Sequence, residues 1–192
     1  YTHDGGWRDQ SGFDEGKLNA TLTTGAGGSI PSRFDLAAMK LEQQTAGFIL
    51  GENAYRDPDL REQNLNPEAY RNASAVRLTG LVRPRTSLPG QLELRPYLRT
   101  SRMDFLQHFL LGQPVERNGQ ESAGVMTSFD WDLGDRVSLI TGLDLEWADS
   151  FLVEDQENPT TGGIPAANAI RPAGLHYDYG VTSNVAGGYA QL

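Results

Sequence analysis

Arginine and aromatic residues recur between the strand-like stretches of this sequence, and their chemistry is the best suited to binding. A guanidinium makes paired, planar hydrogen bonds to a carboxylate, and aromatic rings stack on flat groups and cations. Together they predict a site for an anionic, aryl-bearing ligand. The candidates lie in two loops and near the loop end of a long strand: Trp7, Arg8, Tyr55, Arg56, Arg61, Tyr70, Arg71, Arg102 and His108. The alternative for each residue is that it structures its own loop.

The charge balance limits the possible ligands. The net charge is −9, which argues against nucleic acid, because phosphate binding needs clustered cations. Only Lys17 and Lys40 among the 16 basic residues are lysines. An arginine-lined site for an anion is one explanation of this bias, and a compositional bias of the source genome is the other and the more economical one.

No catalytic or metal-binding arrangement is recognisable. His3, His108 and His176 are too scattered for a metal motif. Asp144 and Glu146 lie two residues apart on one strand face, but hydrated wall residues of a polar barrel interior explain them without catalysis. We therefore predict a protein that is not an enzyme and that holds no metal or other cofactor.

The pattern over residues 120–153 predicts one long β-hairpin, on which the placement of the other predicted strands depends. Residues alternate between apolar and small or acidic types from Val137 to Trp147, with the period of two typical of a strand. Residues 122–133 show the same alternation, and 133–136 form a tight turn between the halves.

The length of this hairpin favours a membrane strand. Val137–Trp147 is close to the roughly 9–11 residues that a tilted membrane strand needs. Aromatic residues lie toward the ends of the apolar rows, as in interfacial girdles: Phe129, Trp131, Trp147 and Phe151. The alternative is a hairpin of a soluble β-sandwich, whose alternation covers a dry core.

The connections between predicted strands alternate in length. Those at 25–31, 86–90 and 133–136 are short, and those at 4–12, 45–73, 112–119 and 154–175 are longer. A barrel with short turns at one rim and long loops at the other gives this order. The fold class predicted is therefore all-β, an antiparallel up-and-down transmembrane β-barrel segment of about eight strands.

The bulk features fit an internal piece of such a barrel. The chain has 192 residues, begins with Tyr1, shows no leader, and ends at Leu192 inside a predicted strand. No run approaches the roughly 18 apolar residues of a transmembrane helix. Cysteine is absent, so disulfides and thiolate metal sites are excluded.

Three blocks resemble barrel segments of TonB-dependent outer-membrane receptors. They are HDGGWRDQSGFDEGKL (3–18), QTAGFILGENAYRDPDLREQNLNPEAYRN (44–72) and LRPYLRTSRMDFLQHFLLGQPVERNGQ (94–120). The resemblance extends over nearly the whole chain. It implies a larger barrel of about 22 strands closed by an N-terminal plug, of which 1–192 is a partial barrel domain lacking the plug and the closing C-terminal strands.

The resemblance also implies a function. Receptors of this family take up scarce ligands at the bacterial cell outer membrane, most often ferric siderophores, and the inner-membrane TonB complex drives them. The implied partners are a ferric siderophore or similar ligand, the TonB complex through the missing N-terminal region, and outer-membrane lipid and lipopolysaccharide. The alternative from another class is a secreted β-sandwich that serves as a binding or carbohydrate-active module.

Overall fold

One eight-stranded antiparallel sheet dominates the computed structural model, which describes residues 1–25, 30–134, 137–160 and 169–192. Its strands are β1 (Thr2–Asp4), β2 (Phe13–Thr24), β3 (Ser32–Gln44), β4 (Tyr70–Val82), β5 (Gly90–Leu106), β6 (Val115–Asp132), β7 (Ser138–Gln156) and β8 (Gly174–Gln191). Each strand pairs with the next in sequence order, and β1 and β8 do not pair with each other. The all-β, antiparallel, up-and-down prediction is confirmed as an open sheet.

The sheet is a single layer. The backbone of each described strand lies close only to the backbones of its neighbours in the sheet. Among the described residues the buried side chains that are apolar belong only to Ala54, Ala69, Ala148 and the loop residue Pro114. These residues therefore do not form the two packed sheets of a β-sandwich, and no hydrophobic core lies between layers.

The register places the apolar rows of neighbouring strands side by side on one face. Leu36, for example, lies opposite Ala20 on β2 and opposite Leu78 on β4. We call this the apolar face and the opposite side the polar face. The residues of the resulting apolar band are Leu18, Ala20, Leu22, Phe34, Leu36, Ala38, Val76, Leu78, Val82, Leu92, Leu94, Leu98, Ala123, Val125, Phe129, Trp131, Leu139, Leu143, Leu145 and Trp147.

Strand β8 departs from this pattern. Its apolar face carries small or polar residues, such as Asn184 opposite Trp147 and Gly188 opposite Leu143. Its larger side chains, including Tyr179 and Val185, lie on the polar face. The apolar band therefore fades at this edge of the sheet.

The strands extend further than their apolar rows. The sequence predicted a loop at 112–119, but β6 begins at Val115 and pairs with both β5 and β7 from there. Polar residues such as Asn118 occupy this extension, which is why it resembled a loop. A Cβ at Gly119 would lie 2.5 Å from the Phe151 ring on β7, so the glycine makes room for that ring.

Long connections between strands lie at one end of the sheet, as predicted. The difference in length from the short turns at the other end comes mainly from 45–69 and 157–173. The predicted irregular segment contains a 3-10 turn (Ala54–Arg56) and one helical turn, α1 (Pro58–Arg61). Asp57 caps α1 by accepting hydrogen bonds from the backbone N–H groups of Asp59 (2.9 Å) and Leu60 (3.4 Å). The predicted turns at 25–31 and 133–136 and the predicted loop at 154–175 lie partly outside the described residues.

Pro96 lies inside β5, although proline is rare within strands because it cannot donate to the ladder. It stays in register with Val125 on β6, but the pairing of β5 with β4 is interrupted between Thr79 and Val82. Proline has no N–H to give to the ladder, which accounts for the gap. A Cβ on Gly80 would lie 3.0 Å from the Pro96 ring and 3.2 Å from that of Phe34, so glycine admits both rings.

Candidate functional site

Arg8 holds two of the long loops together. Its Nη1 donates to the carbonyl oxygen of Gly47 at 2.8 Å, and its Nη2 donates to that of Gln63 at 2.6 Å. The guanidinium also lies 5.9 Å from the Trp7 ring centroid. Because its donors are directed at backbone carbonyls of the 45–69 loop, Arg8 structures the loops, as the alternative interpretation proposed.

His108 belongs to the same loop assembly. A Cβ on Gly47 would lie 3.4 Å from His108 Cδ2. The structure thus brings Arg8 and His108 to either side of one glycine. His108 Nδ1 is buried and has no hydrogen-bond partner among the described residues. A side-chain hydrogen bond of 2.8 Å from Gln113 to Glu68 joins the same two loops.

Trp7, Tyr55, Arg56 and Arg61 remain on the loop surface. Trp7 and Tyr55 are 68% and 61% exposed. Arg56 donates to the Tyr55 hydroxyl at 3.0 Å and lies 5.4 Å from its ring centroid. Arg61 forms only a long contact with its neighbour Glu62, 3.4 Å. Exposed, stacked side chains of this kind suit a ligand with anionic and flat groups.

Arg71 does not converge with Tyr70 and Arg102, because strand pleating places it on the opposite face. Arg71 lies on the polar face, 5.7 Å from the Phe105 ring centroid. Arg102 lies on the apolar face above the band, where it pairs with Glu121 at 2.9 Å. Tyr70 lies on that face too, and burial raises the pKa of its hydroxyl. A ligand bound from the polar side would meet Arg71 and not the other two.

A polar network that the sequence did not reveal crosses β5, β6 and β7 on the polar face. The Tyr97 hydroxyl donates to Glu146 across Gly124. Arg99 donates to Glu146 at 2.7 Å and to the Ser122 hydroxyl at 2.9 Å. Only the strand register brings these side chains together, and the register cannot be read from the sequence.

A second cluster lies at the loop end of β7 and β8. Glu154 accepts from Arg171 at 2.5 Å and lies 2.9 Å from His176 Nδ1. Glu154 is 4% exposed, and Gln156 beside it is fully buried. Gln156 donates to the Asn158 carbonyl at 2.8 Å, so the cluster fastens the start of the 157–173 loop.

No group of three or more histidine, aspartate and glutamate side chains suited to a metal occurs in the described parts of the chain. None of the helices described there is long and apolar enough to cross a bilayer. No family model, curated protein or solved structure matches this chain.

Proposed function

We propose that this chain forms part of the wall of a bacterial outer-membrane β-barrel that serves as a receptor for uptake of a scarce ligand. The observation that carries the proposal is the exposed apolar band on one face of a single-layer sheet. Leu18, Leu98 and Leu143 are 56%, 56% and 49% exposed at the centre of strands. If water were the only medium on this face, the band would remain unburied.

The energetics favour a cover for the band. Burying a leucine side chain fully contributes about 1.5–3 kcal/mol, and apolar patches on soluble monomers rarely exceed a few hundred Å². The band extends across β2 to β7, with Leu98 and Leu143 among its most exposed residues. Hydrocarbon tails would cover it without requiring a second layer of protein.

The height of the band also supports a membrane. From Leu139 to Trp147 it extends about nine residues, roughly 26 Å along the strand, close to the 9–11 residues of a tilted membrane strand. A polar row lies directly beyond it, in which Glu121 pairs with Arg102 and Asp149 accepts from Thr182 at 2.7 Å. Trp147 lies next to this row, the position that interfacial aromatic residues favour.

The polar face supports a hydrated side. Its charged residues are joined by ion pairs along and between strands, such as Arg83 and Arg95 on either side of Glu93. An apolar side toward lipid and a polar side toward water is the division that a barrel wall requires.

The identity of the ligand and of the driving complex rests on the family resemblance. The proposed ligand is a ferric siderophore or similar anionic chelate, the proposed partners are the TonB complex and outer-membrane lipid and lipopolysaccharide, and the proposed location is the outer membrane. Arg56 and Arg71 add support, because both stack on aromatic rings and neither pairs with a carboxylate among the described residues.

The experiment is to express the chain and test whether it needs detergent. We expect it to sediment or aggregate in buffer and to refold into detergent micelles or lipid bilayers with β-sheet circular dichroism. A soluble, folded monomer in detergent-free buffer would contradict the proposal. A soluble dimer would show that a second copy, and not lipid, covers the apolar face.

A further inference from the structure

A concave space on the polar face differs from the rest of that face, because it combines three cations with a floor of small residues. Its volume is about 420 Å³, and its lining includes Lys17, Ala37, Met39, Ala75, Arg77 and Arg99. Ala37 and Ala75 hold the floor low between the longer side chains. A space of this size lies within the range of small-molecule pockets, roughly 300–1,000 Å³.

Two of the cations in this space repel each other. Arg77 on β4 lies directly opposite Arg99 on β5 in the strand register. Like charges directly opposite each other on one sheet face destabilise the pair. Arg99 is compensated on its far side by Glu146 at 2.7 Å and by Ser122 at 2.9 Å. Of the two opposed arginines, Arg77 is therefore the one whose positive charge is not compensated.

Arg77 has no hydrogen bond or ion pair among the described residues. The nearest carboxylate by register is that of Asp35, one row away across β3 and β4. Asp35 is already bound by Arg33 at 2.9 Å and by the Thr21 hydroxyl at 2.6 Å. Lys17, at the other rim, is paired with Glu15 at 2.7 Å. The space therefore offers one exposed, unpaired guanidinium.

We propose that this groove binds a small organic carboxylate with a flat apolar body, with its anionic group on Arg77. A guanidinium presents a planar fork of donors that matches a carboxylate in two parallel hydrogen bonds. The anion would also relieve the repulsion between Arg77 and Arg99. The apolar body would lie on Ala37 and Ala75, against the Met39 side chain, whose thioether makes favourable contacts with aromatic rings.

The groove is separate from the loop residues that form the proposed receptor site. It lies on the strands, and none of the loop candidates is among its lining residues. The inference needs neither a membrane location nor a transport role, so its outcome is independent of the detergent experiment above.

The test is a titration of the full chain, folded in detergent or in buffer as it requires, with benzoate and with benzamide. Benzamide keeps the ring and removes the charge. Heteronuclear magnetic resonance of the arginine Nε–H groups reports the site directly. We expect benzoate to shift the Arg77 signal saturably, benzamide to bind at least tenfold more weakly, and added salt to weaken the benzoate effect.

Four variants separate the groove from general charge. We expect R77Q to weaken benzoate at least tenfold, and R77K, which keeps the charge and loses the fork, to weaken it less. The matched control is R95Q, which removes an arginine paired with Glu93 (2.6 Å) from the same face and should change the affinity less than twofold. A75L keeps every charge and fills the floor, so it should also abolish binding while the sheet spectrum is retained.

Equal binding of benzoate and benzamide would overturn the proposal, as would equal losses in R77Q and R95Q. Unchanged binding in A75L would show that the anion binds Arg77 without needing the groove, and this result would also overturn the proposal. If R77Q does not fold, the benzamide comparison and A75L decide the question in the remaining proteins.

Discussion

The Tyr97 side chain on β5 reaches over β6 and donates its hydroxyl proton to Glu146 on β7. Gly124 on the strand between them makes this contact possible. A Cβ on Gly124 would lie 2.5 Å from both the ring carbon Cζ and the hydroxyl of Tyr97, and 2.7 Å from the Leu145 carbonyl oxygen. Because Gly124 has no side chain, β5 and β7 can contact each other across β6, although they are not neighbours in the sheet.

The first prediction concerns this glycine. Gly124→Ala should destabilise the sheet by about 1–3 kcal/mol, the usual cost of overpacking, because the Tyr97 ring must leave its position. Gly187→Ala on β8 is the matched control, since a Cβ there meets nothing within 4 Å. Denaturant unfolding followed by tryptophan fluorescence measures both variants. Equal stability of the two variants would show that Tyr97 does not need the space.

The second prediction concerns the opposed arginines. Without any added anion, Arg77→Thr should raise the free energy of unfolding by about 0.2–1 kcal/mol, because it removes a like charge facing Arg99. Arg95→Thr is the control on the same face. It removes the ion pair with Glu93, 2.6 Å, and should leave stability unchanged or lower it. A loss of stability in Arg77→Thr would mean that Arg77 has a stabilising partner.

The faces of the strands were predictable, because alternation along a strand is local. Leu145 and Glu146 were assigned to opposite faces from their spacing alone, and the register confirms them. The ends of the strands were less predictable. Beyond the apolar band both faces of a strand are polar, so Asn118 looked like loop.

The networks could not be predicted, because they depend on register. Whether Tyr97 meets Glu146 depends on how β6 lies between two other strands, and no local pattern specifies it. The same holds for Glu154 and His176, which are joined only by the geometry at the end of β7 and β8. The arginine-rich loops were identified as candidates, but pleating separated Arg71 from Arg102.

The third prediction concerns pH. The hydroxyl of Tyr1, and then His3, hold the pKa of the Asp14 carboxyl below its ordinary value. A carboxyl with a lowered pKa in the folded state contributes stability at pH values above its unfolded pKa, about 3.9, and loses it as pH falls through the folded pKa. We therefore expect the contact of β1 with β2 to weaken in acid below this range.

The measurement is the pH titration of the Asp14 carboxyl carbon by magnetic resonance. Tyr1→Phe removes the hydroxyl donor and should move the titration midpoint upward toward the ordinary value. An identical midpoint in both proteins would show that Tyr1 does not stabilise the charged form.

The fourth prediction concerns the proposed ligand. On the proposed function, replacing Arg56 and Arg71 together by glutamine should weaken binding of the proposed ferric siderophore roughly tenfold, about 1.4 kcal/mol. Both guanidinium groups stack on aromatic rings and neither is engaged by a carboxylate in the described part of the chain. Replacing the ion-paired Arg33 by glutamine is the control. Unchanged affinity in the double variant would dismiss this role.

The decisive measurement determines whether lipid or water surrounds the side chains of residues 143 and 147. With Trp131 replaced by phenylalanine, and Trp7 as the remaining tryptophan in an exposed loop, brominated lipids in the bilayer should quench Trp147 strongly and Trp7 weakly. A spin label at position 143 should likewise be accessible to oxygen and shielded from a water-soluble relaxation agent. A Trp147 signal that lipid bromine does not quench, or a label at 143 that only the aqueous agent reaches, would contradict the account.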